Sequence, residues 1–359
     1  MGKHKILVID DRVPDPHFGA GFPRAYRLLM SLNKLGHHVY FYPNIKSSIK
    51  DLNVDKLREF NIEVVTDLEA VPESVDLIIV SRPHNAHYYL PPARKRLPHA
   101  KVIYDTEALW YRRYDLQLEF TGRLPGWAYR YDEIGMARNV DLCWVVNDEE
   151  KSILESNGVN KVTRLAHALD CHWAGEDFNY RKDYLVVGGI LENDSSNEDG
   201  LWNYLNNGWE LVREPGTKLN VTGHATADRL VNEEFKKRFF DVNLMGHVPN
   251  LTPLYESHRV FVAATRFATG IPWKVHEAMA NGIPCVISKL LANQLQLVPD
   301  RDAMVCDNKE DYFDKSRELY HNRKVWQDMR HYGYELVKRD CDTHKFMNII
   351  QESIDSIFA

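Results

Sequence analysis

Residues 266–284 read Arg266-Phe267-Ala268-Thr269-Gly270-Ile271-Pro272-Trp273-Lys274-Val275-His276-Glu277-Ala278-Met279-Ala280-Asn281-Gly282-Ile283-Pro284. The run before it, Arg259–Thr265, is apolar and β-branched, as a strand covered on both faces must be. A glycine-containing turn follows, and then a helix from Trp273 that stops at Gly282. Pro284 opens the next apolar run, Ile283–Ser288. Strand, helix, strand in this order is one unit of a parallel sheet.

The same alternation extends outward in both directions. On the N-terminal side the strand candidates are Lys5–Asp10, His38–Tyr42, Asp76–Ser81, Lys101–Asp105 and Asp141–Asn147. Between the first two, Tyr26, Leu28, Leu29, Leu32 and Leu35 repeat at helical spacing, with Gly36 as the stop. The second half restarts with Tyr184–Gly189, Lys218–Gly223, Asn243–Gly246, Arg259–Thr265, Ile283–Ser288 and Ala303–Asp307, and helices are predicted over Gly200–Val212, Thr226–Phe239 and Trp273–Asn281. The polar segment Asp170–Lys182 reads as the join. The stretch Lys309–Ala359 reads as consecutive helices, the last with Phe346, Ile349, Ile350, Ile354 and Ile357 on one face. The expectation is two Rossmann-like, doubly wound domains, 1–172 and 183–338, with a helix over 339–359 crossing back onto the first. Ligands bind at the carboxyl ends of such strands, here in the cleft between the domains.

Composition narrows the class. The 359 residues carry 45 Lys plus Arg against 51 Asp plus Glu, a formal charge of −6. Hydrophobic residues make up 44% and charged residues 27%, ordinary for a folded globular chain and unlike a disordered one. The acidic balance argues against a duplex-DNA binder, so no nucleic acid partner is expected. No apolar run approaches the ~20 residues of a membrane span, and the N-terminal apolar run is too short for a signal peptide. The five cysteines form no CxxC pair, and a cytoplasmic location is expected.

Two segments carry candidate chemistry. In 266–284 the loop N–H groups and Lys274 face one ligand, and Glu277 lies on the same helix face as Lys274. The layout suits a nucleoside diphosphate, with Lys274 on the phosphates and Glu277 accepting from ribose hydroxyls. On spacing alone an ordinary solvated Lys274–Glu277 pair fits as well. After the first strand, Gly19 and Gly21 lead into a helix with Arg24 in its first turn, a second place where a phosphate or sugar oxygen can sit. Asp10 and Asp11 suggest a phosphate-accepting receiver domain, but the strand ending in Ser81 supplies no phosphoacceptor aspartate.

Glu277-Ala278-Met279-Ala280-Asn281-Gly282-Ile283-Pro284 resembles the nucleotide-binding motif of glycosyltransferase family 4, the retaining transferases of GT-B fold. Val187-Gly188-Gly189, the stretch Met245–Asn250 with Leu254-Tyr255, and the Gly19–Gly21 loop resemble further motifs of that family in the same order. The resemblance implies that Gly189, Val248, Thr269 and Gly270 line the donor site beside Lys274 and Glu277. It implies that the acceptor is held by the first domain. The reaction implied is retaining transfer of a hexose from a nucleoside-diphosphate sugar to a hydroxyl of a saccharide or lipid-linked saccharide, as in cell-surface polysaccharide assembly. The leaving diphosphate itself takes the incoming proton, while Arg266 and Lys274 stabilise it.

The match has departures. The first glutamate of the family motif falls at Thr269, and the loop after the first C-terminal strand, Ile190–Asp194, is acidic where the family carries Arg and Lys. The family's strand-end histidine has Asp105 as its counterpart, with His84 as a second candidate. No cofactor and no catalytic metal are expected: the one Asp-x-Asp, Asp340-Cys341-Asp342, lies between helices, and His167 and His172 lack a third ligand in sequence. Two other readings remain, a sugar-nucleotide epimerase of the same fold and a catalytically degenerate binding domain. Finally, Pro91–Tyr131 holds eight Lys or Arg against four acids, with seven Trp, Tyr or Phe interleaved between Trp110 and Tyr131. This suggests peripheral contact with an anionic membrane surface.

Overall fold

A computed structural model describes residues 2–15, 21–47, 53–173, 177–190 and 193–359. Gly19, Gly175 and the loop residues Leu191 and Glu192 lie outside them.

The first sheet has seven strands: β1 (Lys5–Asp10), β2 (His38–Pro43), β3 (Ile62–Val64), β4 (Leu77–Ser81), β5 (Lys101–Asp105), β6 (Leu142–Val145) and β7 (Val162–Arg164). Their order is β3-β2-β1-β4-β5-β6-β7, all parallel. The second sheet, β10-β9-β8-β11-β12-β13, is also parallel. Its strands are β8 (Lys182–Val187), β9 (Leu219–Thr222), β10 (Val242–Gly246), β11 (His258–Ala263), β12 (Cys285–Ser288) and β13 (Met304–Cys306).

The sequence pattern placed all six strands of the second sheet and five of the first. It missed the edge strands β3 and β7, each three residues long and too short to show a period. The helix expected over 226–239 is two, Asp228–Val231 and Glu233–Arg238. Asn232 divides them, its side chain capping Phe235 N at 2.8 Å.

Both faces of each sheet are covered. In the first, Ile6, Val8, Leu28, Leu32, Ile79 and Ile103 form one core layer and Leu7, Ile9, Ile78, Val80 and Tyr104 the other. The last helix, Thr343–Phe358, crosses back as expected. Phe346, Ile350, Ile354 and Ile357 join the first domain's core, and Trp144 Nε1 donates to Ser353 Oγ at 3.0 Å. The five cysteines are free thiols, all but Cys171 buried.

Because this helix completes a core it did not begin, trimming it should unfold the first domain. Ile354 is fully buried, so Ile354→Ala should cost about 2–5 kcal/mol. The check is a lowered urea midpoint for the first domain's transition.

Candidate functional site

The carboxyl ends of the two sheets face one another. On the second domain the segment between β11 and the helix Trp273–Ala280 forms one wall. Lys274 Nζ donates to Asn197 Oδ1 at 2.9 Å, and Asn197 Nδ2 donates to Gly189 O at 2.9 Å. No carboxylate lies within ion-pairing distance of Lys274 among the described residues. Burial of this ammonium pulls its pKa down to about 8. The ordinary helix pair allowed by the spacing is not formed. Glu277 instead accepts from Tyr255 O–H at 2.9 Å. Arg266 is held by Asp199, with Nε donating to Oδ2 at 3.0 Å, and its guanidinium lies 5.5 Å from the Phe120 ring. Thr269 Oγ1, at the position where the family motif carries glutamate, is buried and has no hydrogen-bond partner among the described residues. Gly189 and Val248 follow β8 and β10 on the same edge. Gly270 has φ +84°, and a Cβ there would meet Glu107 O at 3.0 Å, so the loop needs glycine.

On the first domain the strand ends hold a charged cluster. Arg82, just after β4, donates from Nε to Asp10 Oδ1 at 2.9 Å and pairs through Nη2 with Glu107 Oε2 at 2.8 Å. Asp11 lies 3.4 Å from Arg82 and also bonds His84 and Asn85. Arg82 and Glu107 both have positive φ, +74° and +53°. Strained non-glycine residues of this kind persist where the surroundings over-determine them, often in sites. Burial, reinforced by Asp10 and Asp105, raises the Glu107 carboxyl well above the ordinary range, against the pull of Arg82 and Arg24. Its Oε1 is buried without a hydrogen-bond partner, 3.8 Å from Arg24 Nη1. Burial would likewise raise Asp11, but its bonds to His84 and Arg82 outweigh it and the net shift is downward.

The structure places the sequence candidates unequally. Lys274, Glu277, Thr269, Gly270 and Gly189 share the second domain's wall, and His84 joins the cluster opposite. Gly21 starts the first helix with φ +86°, where a Cβ would lie 2.9 Å from Glu107 Oε2. Arg24 and Asp105 turn away from the cleft. Arg24 is 3% exposed and its guanidinium is spent on Asp105 (2.6 and 3.1 Å), Ala166 O (2.8 Å) and Leu165 O (2.9 Å). Asp105 has no exposed surface. The cleft-facing acid is Glu107, two residues on. Sequence reasoning stopped at the strand end, and the left-handed turn that brings Glu107 round leaves no mark in composition. Arg82, Asn197 and Tyr255 were also missed as site residues.

One further sequence reading holds and two change. In Asp340-Cys341-Asp342, Asp340 pairs with Arg339 and Asp342 caps the last helix through Lys345 N. His167 does find partners, from far away in sequence. Its Nε2 lies 2.8 Å from His276 Nδ1, which is 3.2 Å from Cys341 Sγ, and all three are buried. Burial keeps both imidazoles neutral, His276 with a pKa near 4. The basic stretch 91–131 is less basic in place. Arg96, Lys101, Arg112 and Arg123 pair with Glu73, Asp141, Glu149 and Asp194, acids from outside it.

Comparison with known proteins fits this geometry. The profile of the family Glycosyl transferases group 1 matches residues 181–322. The whole chain is similar in fold to a sucrose-phosphate synthase from Thermosynechococcus elongatus (13% identical, 99% of each chain covered, TM-score 0.74). It is also similar to Anabaena HepE, solved with UDP and glucose (12%, 98% of this chain and 100% of that, TM-score 0.69). A third is a glycosyltransferase from Rickettsia africae ESF-5 (11%, 100% and 99%, TM-score 0.68). No curated protein sequence matches the chain.

The unpaired Lys274 makes a pH prediction. Its ammonium is charged below about pH 8 and neutral above. An anion bound beside it raises that pKa, so a nucleoside diphosphate should take up a proton on binding above pH 8. Affinity should then fall with rising pH, approaching tenfold per unit. Calorimetric titration at pH 7 and 9 checks this, and the dependence should flatten in Lys274→Arg. With two parallel sheets of seven and six strands, the chain has the GT-B fold, and residues 181–322 are similar to the group 1 glycosyl transferases.

Proposed function

We propose that this protein is a retaining glycosyltransferase that moves a hexose from a nucleoside-diphosphate sugar to a hydroxyl of a saccharide or lipid-linked saccharide, in cell-surface polysaccharide assembly. The observation that carries the reading is Lys274, a partly covered ammonium at the strand-end edge with an amide rather than a carboxylate as its partner. Burying a cation without a counter-charge is costly, and a diphosphate supplies the missing anion. The similarity to HepE, solved with UDP and glucose, supports a uridine donor.

The donor's ribose hydroxyls donate to Glu277, whose orientation Tyr255 fixes. The sugar lies toward Thr269 and Gly270, where Thr269 Oγ1 has a hydrogen bond to give. As the glycosidic bond breaks, charge grows on the leaving diphosphate. Lys274 stabilises that charge, with Arg266 behind it. The diphosphate takes the acceptor's proton on the same face, so no protein nucleophile and no metal is needed. Glu107 and His84 face the reacting sugar from the acceptor side. A glutamate that keeps its proton to higher pH than usual can donate a hydrogen bond there.

Glu277→Ala removes charge-assisted bonds worth ~1.5–3 kcal/mol, so product-nucleotide affinity should fall roughly 10- to 150-fold. Lys274→Ala should lower kcat beyond its effect on binding, because its charge partner develops in the transition state. Glu107→Gln should lower kcat and leave nucleotide affinity alone. Calorimetric titration of the three variants beside steady-state rates reads all of this. Unchanged affinity in Glu277→Ala refutes the donor site. In the same assay activity should survive EDTA; loss on chelation that Mn²⁺ restores refutes the metal-free mechanism.

A further inference from the structure

The donor loop does not hold its own shape. The peptide of Gly270 is gripped at both ends by the first domain, by a helix 120 residues away in sequence. Asn147 Nδ2 donates to Gly270 O at 2.8 Å, and Gly270 N donates to Glu150 Oε1 at 2.8 Å. Asn147 and Glu150 are the N-cap and third residue of the helix Asp148–Ser156, and Asn147 Oδ1 accepts from Glu150 N at 2.8 Å. One side chain therefore caps its helix with its oxygen and holds the other domain with its nitrogen. Glu150 also accepts from Leu109 N at 3.3 Å, which ties the grip to the segment carrying Glu107. Both residues are buried, 4% and 3% exposed.

A free loop would have no reason to lodge here. Glu150 is a buried carboxylate, and the structure shows it in no ion pair among the described residues. Burial raises its pKa to about 7 against the two N–H bonds it receives. Such a group is kept only where its bonds are used. Thr269, with its unpartnered hydroxyl, is the residue next to the gripped peptide.

We propose that Asn147 and Glu150 are positioning residues that set the donor loop, so that Thr269 and the Gly270 peptide reach their working place only when the domains are closed. Neither residue touches the donor; they act through Gly270. The inference rests on the reading of 266–272 as the donor loop.

The test uses Asn147→Ser, Glu150→Ala and Glu150→Gln in the full chain. Serine keeps the helix cap but cannot reach Gly270 O. Glutamine keeps an accepting oxygen for Gly270 N. Small-angle scattering without ligand should show Asn147→Ser and Glu150→Ala more open than wild type. Their kcat for UDP release from UDP-glucose should fall about tenfold or more, each having lost a buried hydrogen bond. UDP affinity should change little, and Glu150→Gln should recover most of the rate. Scattering and kcat unchanged in both Asn147→Ser and Glu150→Ala overturn the proposal. So does a loss of UDP affinity as large as the loss of kcat, which would make these residues part of the binding site. If wild-type protein binds no UDP, the uridine-donor reading fails, and the scattering comparison still decides the grip.

Discussion

A parallel sheet cannot leave a face bare, and this constraint organises the molecule. Each strand must be followed by a crossover that covers a face, so all strands of a sheet end on one edge. That edge gathers loops and helix N-termini, with backbone N–H groups unspent. Two such sheets in one chain give two edges. The crossing helix Thr343–Phe358 returns the chain to the first core and so fixes which edges meet. The cleft is a consequence of covering sheets, and its chemistry is what the loops add.

The two edges differ in how their charged groups are partnered. The first domain's strand ends gather Asp10, Asp11 and Glu107 around Arg82, with His84 on Asp11, while Asp105 is spent on Arg24 behind them. Burial shifts Glu107 and Asp10 upward, while Asp11, also raised by burial, is lowered on balance by His84 and Arg82. Across the cleft, Lys274 is a cation facing an amide. Under the proposed function this difference places a diphosphate at Lys274 and neutral hydroxyl groups on the Glu107 side.

Most of the fold was legible because its signals are local. Apolar runs, glycine stops and the final helix's stripe each lie within twenty residues. The Lys274–Glu277 wall was legible for the same reason, being one turn of one helix. Arg24 was misplaced because helix position fixes where a side chain starts, while its partners, Asp105 and the carbonyls of 165 and 166, lie 81 to 142 residues away. Glu107 was missed because a positive φ in a non-glycine residue is a tertiary effect. The His167–His276–Cys341 contact and the grip on Gly270 join residues 65 to 123 apart, beyond the reach of any local pattern.

The contacts between the domains are graded in strength across the cleft. Where the chain passes between domains, His167, His276 and Cys341 meet in full burial, and Leu169 N bonds Cys341 O at 3.0 Å. At the outer rim the links are exposed pairs such as Arg123–Asp194, worth ~0–1 kcal/mol each. Between them sits the buried Gly270 peptide. The histidine contact and the Gly270 bonds thus join the same two domains at two buried places, one beside the crossover and one at the loop before Trp273. On the inference above, the loop 266–272 takes its shape from the first domain, while the cores of both domains form without it. Closure of two domains over a ligand is a general way to exclude water, and here the same contact would complete the loop.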